Sequence, residues 1–207
     1  MTYSEKSLKP ILTWPLSFSA TDRDTQFGMA SISVVNVHGE HLSLAGVFAS
    51  GGAGPVSLSY QDGLLYVLNA ANGRTQAANV AGFHVDDQGR LHPIAGATRL
   101  LSAAHPNAAQ VQIDPSGQVL LVTEKGTNLI DVYHIHQDGS LSGPTTFSSV
   151  GAVPFGMAFN PASPREFIVT DAAGGPNNTG AATAYRLANG SIQLITGPVF
   201  DHQVAPC

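Results

Sequence analysis

A period of about 50 residues runs through this chain, and it constrains the fold more than any other feature. Turns of the form Gly-x-Leu or Gly-x-Ile occur at Gly89, Gly139 and Gly190, and Gly39 lies one period further upstream. Three segments line up ahead of these turns. Residues 55–58 lead to 63–68 and 80–85, residues 107–113 lead to 117–122 and 129–133, and residues 154–159 lead to 166–170 and 182–187. Each unit predicts four short strands: a small alternating one, a continuous apolar one, a second alternating one, and one that follows the glycine turn. A continuous apolar strand needs burial on both faces, as in a small sheet stacked between two others. Asp114-Pro-Ser-Gly117 supplies a turn between the first two strands of its unit, with proline fixing φ and glycine free to take φ > 0. Four strands per period of this length define the blade of a β-propeller.

The expected fold is therefore all-β: a propeller of four-stranded antiparallel blades, about four of them present. The units run approximately over 31–54, 55–104, 105–152 and 153–200. Residues 1–30 read as an atypical N-terminal segment, and 201–207 as the start of a further blade or a tail. Composition agrees. The 22 glycines and 13 prolines are a turn inventory, and 11% charged residues suit sheets packed face to face, against roughly 25% in an ordinary soluble domain. Hydrophobic residues at 43% with a net charge of −5 argue against disorder. No run approaches the roughly 18 apolar residues of a membrane span, and nine scattered basic residues give no footprint for nucleic acid. A lone Cys207 excludes an internal disulfide. The first 20 residues show no signal-peptide pattern, which predicts a cytoplasmic protein, or an exported one if the true start lies upstream.

The segment AQVQIDPSGQVLLVTEKGTNLIDVY, together with 123–130 (TEKGTNLI) and 153–159 (VPFGMAF), resembles the lactonase-type seven-bladed propellers. That family includes 6-phosphogluconolactonases and carboxy-muconate cyclases, and the similarity runs from about Ser31 to Cys207. The resemblance implies an incomplete seven-bladed ring, since seven blades would need roughly 350 residues. It also implies action on a sugar lactone or a muconolactone-like acid. Several of the family's functional positions differ. Its His before Gln-Val is Ala109 here, and its Arg after Gly-Pro is Phe155. Its Glu at a second-strand end is Asp171, and Glu124-Lys-Gly-Thr-Asn128-Leu129 stands for its Asp-Leu-Gly-x-Asp-Arg pattern. What remains for acid/base work is Asp171 and Glu124, with Lys125, Gln110 and Asn128 as substrate contacts. A non-catalytic propeller that binds or scaffolds a partner is the alternative, since fold does not fix function.

Other patterns carry less. Glu124 and Lys125 are strand neighbours pointing to opposite faces, so Glu124 either faces the channel mouth or belongs to a solvated charge pair. His134 and His136 share a strand face but lack further ligands for a metal. Asp86-Asp87-Gln-Gly89 is a hairpin turn rather than a calcium loop. Gly174–Gly180 lacks the ending of a phosphate loop, and no Ser falls into triad order with His and Asp. Asn177 and Asn189 meet the Asn-x-[Ser/Thr] rule, which matters only on the secretory route. No cofactor or metal is expected. An open arc would leave apolar blade faces for self-association.

Overall fold

The computed structural model describes residues 16–21, 30–71, 76–172, 179–201 and 203. Cys207, Asn177 and most of the Gly174–Gly180 segment lie outside the described residues. Those described fold into four antiparallel sheets. The first contains β1 (Leu16–Thr21), β2 (Ser31–His38) and β3 (His41–Ala49), in that order. The second contains β4 (Pro55–Gln61), β5 (Leu64–Asn69) and β6 (Asn79–Val85), with its outermost position split between β7 (Leu91–Pro93) and β8 (Arg99–Leu100), both paired to β6. The third runs β9 (Ala108–Ile113), β10 (Val119–Glu124), β11 (Leu129–Ile135) and β12 (Leu141–Ser148). The fourth runs β13 (Pro154–Asn160), β14 (Ser163–Asp171), β15 (Ala181–Ala188) and β16 (Ser191–Phe200). Strands β1, β2 and β3 match the second, third and fourth strands of the later sheets, so the first sheet begins inside the 1–30 segment. No helix among the described residues is long and apolar enough to cross a membrane.

The apolar second strands are explained by burial on both faces. Along β10, Leu120 and Val122 pack toward the second sheet, in a cluster with Tyr66, Leu68 and Val80. Val119 and Leu121 point the other way and pack with Met157, Phe167 and Val169 of the fourth sheet. Strand β5 does the same: Leu65 and Val67 meet Ile32 and Val34 of the first sheet, while Tyr66 and Leu68 face the third. On β14, Phe167 and Val169 are buried against the third sheet, but Ile168 on the opposite face is exposed. Alternation on one strand thus becomes a stack of sheets.

The inner strands are laced by polar side chains rather than by a shared ladder. Val111 N–H donates to Ser57 Oγ at 3.1 Å and Ile113 N–H to Ser59 Oγ at 2.9 Å, tying β9 to β4. The glycine turns also join blades. Gly139 has φ +77°, and a Cβ there would lie 2.7 Å from Ile94 Cδ1 and 2.9 Å from Leu64 Cδ2. Its carbonyl accepts the buried Tyr66 hydroxyl at 2.7 Å. Tyr66→Phe strands that buried carbonyl and is expected to cost about 1–2 kcal/mol in a urea titration, with an unchanged m-value.

Candidate functional site

The second strands end at equivalent positions with a polar residue: Asn69 on β5, Glu124 on β10 and Asp171 on β14. Each is fully buried and meets the connection arriving from the preceding sheet. Asn69 Nδ2 donates to Ser50 O at 3.1 Å and to Asn79 Oδ1 at 3.0 Å, a wholly neutral arrangement. Asp171 Oδ2 accepts the Thr183 hydroxyl at 2.6 Å, while its Oδ1 is buried without a hydrogen-bond partner. Burial pushes the Asp171 carboxyl up, against the opposing effect of Thr183.

The third sheet is different, because the end of β10 carries two acids. Val122 pairs with Asp131 and Glu124 with Leu129, so Glu124 and Asp131 are diagonal neighbours on one sheet face. Both are 0% exposed. Glu124 and Tyr133 are the neighbouring side chains that act on the Asp131 carboxyl. Burial, and then the charge and hydrogen bond of Glu124, push the Asp131 carboxyl up to about 8. Asp131 is therefore held toward its protonated form. Donated to Glu124, its proton also accounts for Asp131 Oδ1, which is buried and otherwise unpartnered.

An exposed serine closes this pair off from solvent. Ser102 sits where the chain leaves β8, and its main-chain N–H donates to Glu124 Oε1 at 3.1 Å and Asp131 Oδ2 at 3.2 Å. Its hydroxyl donates to Glu124 Oε2, which also accepts the Thr127 hydroxyl at 2.5 Å. Tyr133, whose hydroxyl is pushed up by burial and the two acids, donates to Leu100 O at 3.0 Å and so fixes the same connection. The result is a buried acid pair whose hydrogen-bonded neighbours include the exposed Ser102 and the half-buried Thr127.

The structure accounts for the other sequence-predicted residues individually. Glu124 is not solvated: it is fully buried, with Ser102 and Thr127 hydrogen-bonded to its carboxylate. Lys125 points to the opposite face, its Nζ 4.6 Å from the centre of the Phe155 ring. Gln110 bridges inner strands: Nε2 donates to Met157 O at 3.0 Å and Oε1 accepts Met157 N–H at 2.7 Å. Asn128, at φ +61°, donates to Ser149 O at 3.1 Å and accepts Val153 N–H at 2.8 Å. Both amides are engaged at each end by main chain. Gln110→Ala is expected to cost about 1–2 kcal/mol, read from the shift in denaturation midpoint. Asp86 holds its turn through Gln88 N–H and Arg90 N–H, each at 2.9 Å, and its His92 and Arg90 partners keep its carboxyl far below the usual range. His134 and His136 do share a face, their rings edge-on at 4.9 Å. A groove of about 740 Å³ between the third and fourth sheets, lined by Asp114, His134, Arg165 and Asn189, lies at the opposite strand ends and includes none of Glu124, Asp131 and Asp171.

Asp131 and Ser102 escaped the sequence reading. A signal existed for Asp131: it stands in an apolar strand where the other copies carry Ala81 and Thr183. Nothing local marks Ser102.

Stacked antiparallel sheets with a buried polar residue at the second-strand ends define blades of a β-propeller. Comparison makes the likeness specific: residues 76–173 match the family described as "Lactonase, 7-bladed beta-propeller". Among solved structures the chain is similar to a presumptive 6-phosphogluconolactonase from Bacteroides fragilis, with TM-score 0.66 and 21% identity over 87% of this chain and 52% of that one. A second, from Bacteroides uniformis, gives TM-score 0.67 and 16% identity over 87% and 52%. A protein from Lactobacillus plantarum gives TM-score 0.63 and 19% identity over 82% and 49%. The chain thus spans about half the length of these structures, and at such identities they establish the fold alone. No curated protein matches the chain by sequence.

Proposed function

We propose that this propeller opens or closes a lactone, a sugar lactone or a muconolactone-like acid, at the strand ends between its second and third sheets. Opening a lactone requires a base for the attacking oxygen and an acid for the departing ring oxygen. The family's imidazole and guanidinium positions are Ala109 and Phe155, so neither group is supplied there. The observation that carries the reading is the Glu124–Asp131 pair, two carboxyls buried side by side on one sheet face. Glu124 is the base, and Asp131 keeps the second proton of the pair in place. The hydroxyl of the exposed Ser102 donates to Glu124 and its main-chain N–H to both acids. A pair pushed apart in proton affinity is the usual way two like groups divide acid and base roles. Asp171 repeats the strand-end carboxyl one blade on, with Thr183 where Asp131 stands, so it has no second acid with which to share.

Hydrolysis of 6-phosphoglucono-δ-lactone and glucono-δ-lactone by the purified protein tests the reading. The expected result is turnover above the spontaneous rate, lowered about 100-fold in Glu124→Gln. Absence of turnover, or turnover indifferent to Glu124→Gln but lost in Asp171→Ala, would overturn this placement.

A further inference from the structure

We infer that Ser102, Glu124 and Asp131 form a nucleophile–base–orienter triad, with the Ser102 hydroxyl as the group that attacks the carbonyl. The inference rests on the lactone reading for its natural substrate but not for its chemistry. A serine hydroxyl is a weak nucleophile unless a base takes its proton and a third group fixes that base; such sets are recognised by geometry and role rather than by order in the chain. Here the hydroxyl donates directly to Glu124 Oε2, Thr127 holds the same oxygen, and Asp131 lies against Glu124 with Tyr133 behind it. Ser102 is exposed, whereas Glu124 and Asp131 are enclosed.

The repeat supplies an internal comparison. Ser50, Ser102 and Ser149 each follow the last strand of a sheet. Ser50 Oγ donates to Gly52 O at 3.2 Å, beside the neutral Asn69–Asn79 pair. Ser149 Oγ lies 3.3 Å from the Tyr185 hydroxyl, which also accepts Val150 N–H at 2.8 Å. Both connections are therefore docked with no serine–carboxylate contact. Docking alone does not require an acid pair, and among these three copies only Ser102 meets carboxyls, through its hydroxyl to Glu124 and its main-chain N–H to Glu124 and Asp131.

The steps balance. Ser102 Oγ bonds to the carbonyl carbon and its proton passes to Glu124. The ring C–O bond breaks, and the leaving oxygen takes that proton to become the alcohol. Water then attacks the Ser102 ester, giving its proton to Glu124, which returns it to Ser102 Oγ as the acid departs. Asp131 retains its proton throughout and acts as a positioning residue.

A fluorophosphonate probe incubated with the purified protein, followed by intact-mass measurement and peptide mapping, tests the triad. One adduct on Ser102 is expected, absent in Ser102→Ala, slowed at least tenfold in Glu124→Gln and unchanged in Ser116→Ala. Circular dichroism establishes that each variant is folded. A folded wild-type protein unlabelled at Ser102, or labelling indifferent to Glu124→Gln, overturns the triad. Lactone turnover retained in Ser102→Ala overturns it too while leaving the lactone reading intact, and labelling without turnover upholds the triad while removing that reading.

Discussion

Gly151→Ala is expected to destabilise the fold by about 3 kcal/mol or more, the largest single loss of stability anticipated here. A Cβ at Gly151 would lie 1.9 Å from Oδ2 and 2.0 Å from Cγ of Asp171. Asp171 is fully buried and accepts Thr183 at 2.6 Å, so its carboxyl has no open space to enter without leaving that bond. Thermal melting should show a drop of roughly 6–12 °C, taking about 2–4 °C per kcal/mol for a chain of this size. The clash assigns the cost to one contact. Asp171→Ala in the same chain should therefore recover most of the loss, a coupling that additive effects would not produce.

Asp131→Asn is expected to stabilise the protein in alkaline solution and to change little in mild acid. The Asp131 carboxyl, pushed up to about 8 in the folded chain, binds its proton more tightly there than when unfolded. Its contribution is fully present below the ordinary carboxylate range and is lost as pH rises from there through about 8. Above that, two charged carboxyls face each other in a buried site. Asparagine keeps a donor beside Glu124 and removes the charge, so the gain at pH 9 over pH 5 should be on the order of 4 kcal/mol, or roughly 8–16 °C in Tm. Asp86, Asp138 and Glu166, whose carboxyls are lowered by hydrogen-bonded partners, act with the opposite sign. Their contribution is present above the ordinary carboxylate range and falls away in acid. A gain of equal size at both pH values would indicate that Asp131 carries no shifted proton.

The fold was legible because its determinants are local and repeated. Each glycine turn and each apolar second strand appears again one period later, and the alternation of Leu120 and Leu121 toward different neighbours follows from two-sided burial. The site was legible only in part. Glu124 could be placed at a strand end from its position, but whether that end is wet depends on Ser102, which is 22 residues away and unremarkable in sequence. Gln110 and Asn128 looked available for a ligand because their main-chain partners, Met157 and Val153, belong to the next sheet. Asp131 was passed over because one acid in an apolar strand has meaning only once both faces of that strand are known to be covered. In each case the missing information was the contact between blades, which a period reveals only as a spacing.

The central claim is that Glu124 and Asp131 hold one proton between them at neutral pH. Carbon-13 NMR of protein labelled at its Asp and Glu carboxyls, followed from pH 3 to 10, measures this directly. The account predicts one carboxyl titrating near pH 8 that disappears in Asp131→Asn. Titration of every carboxyl between roughly pH 2 and 5, with none near 8, would contradict it.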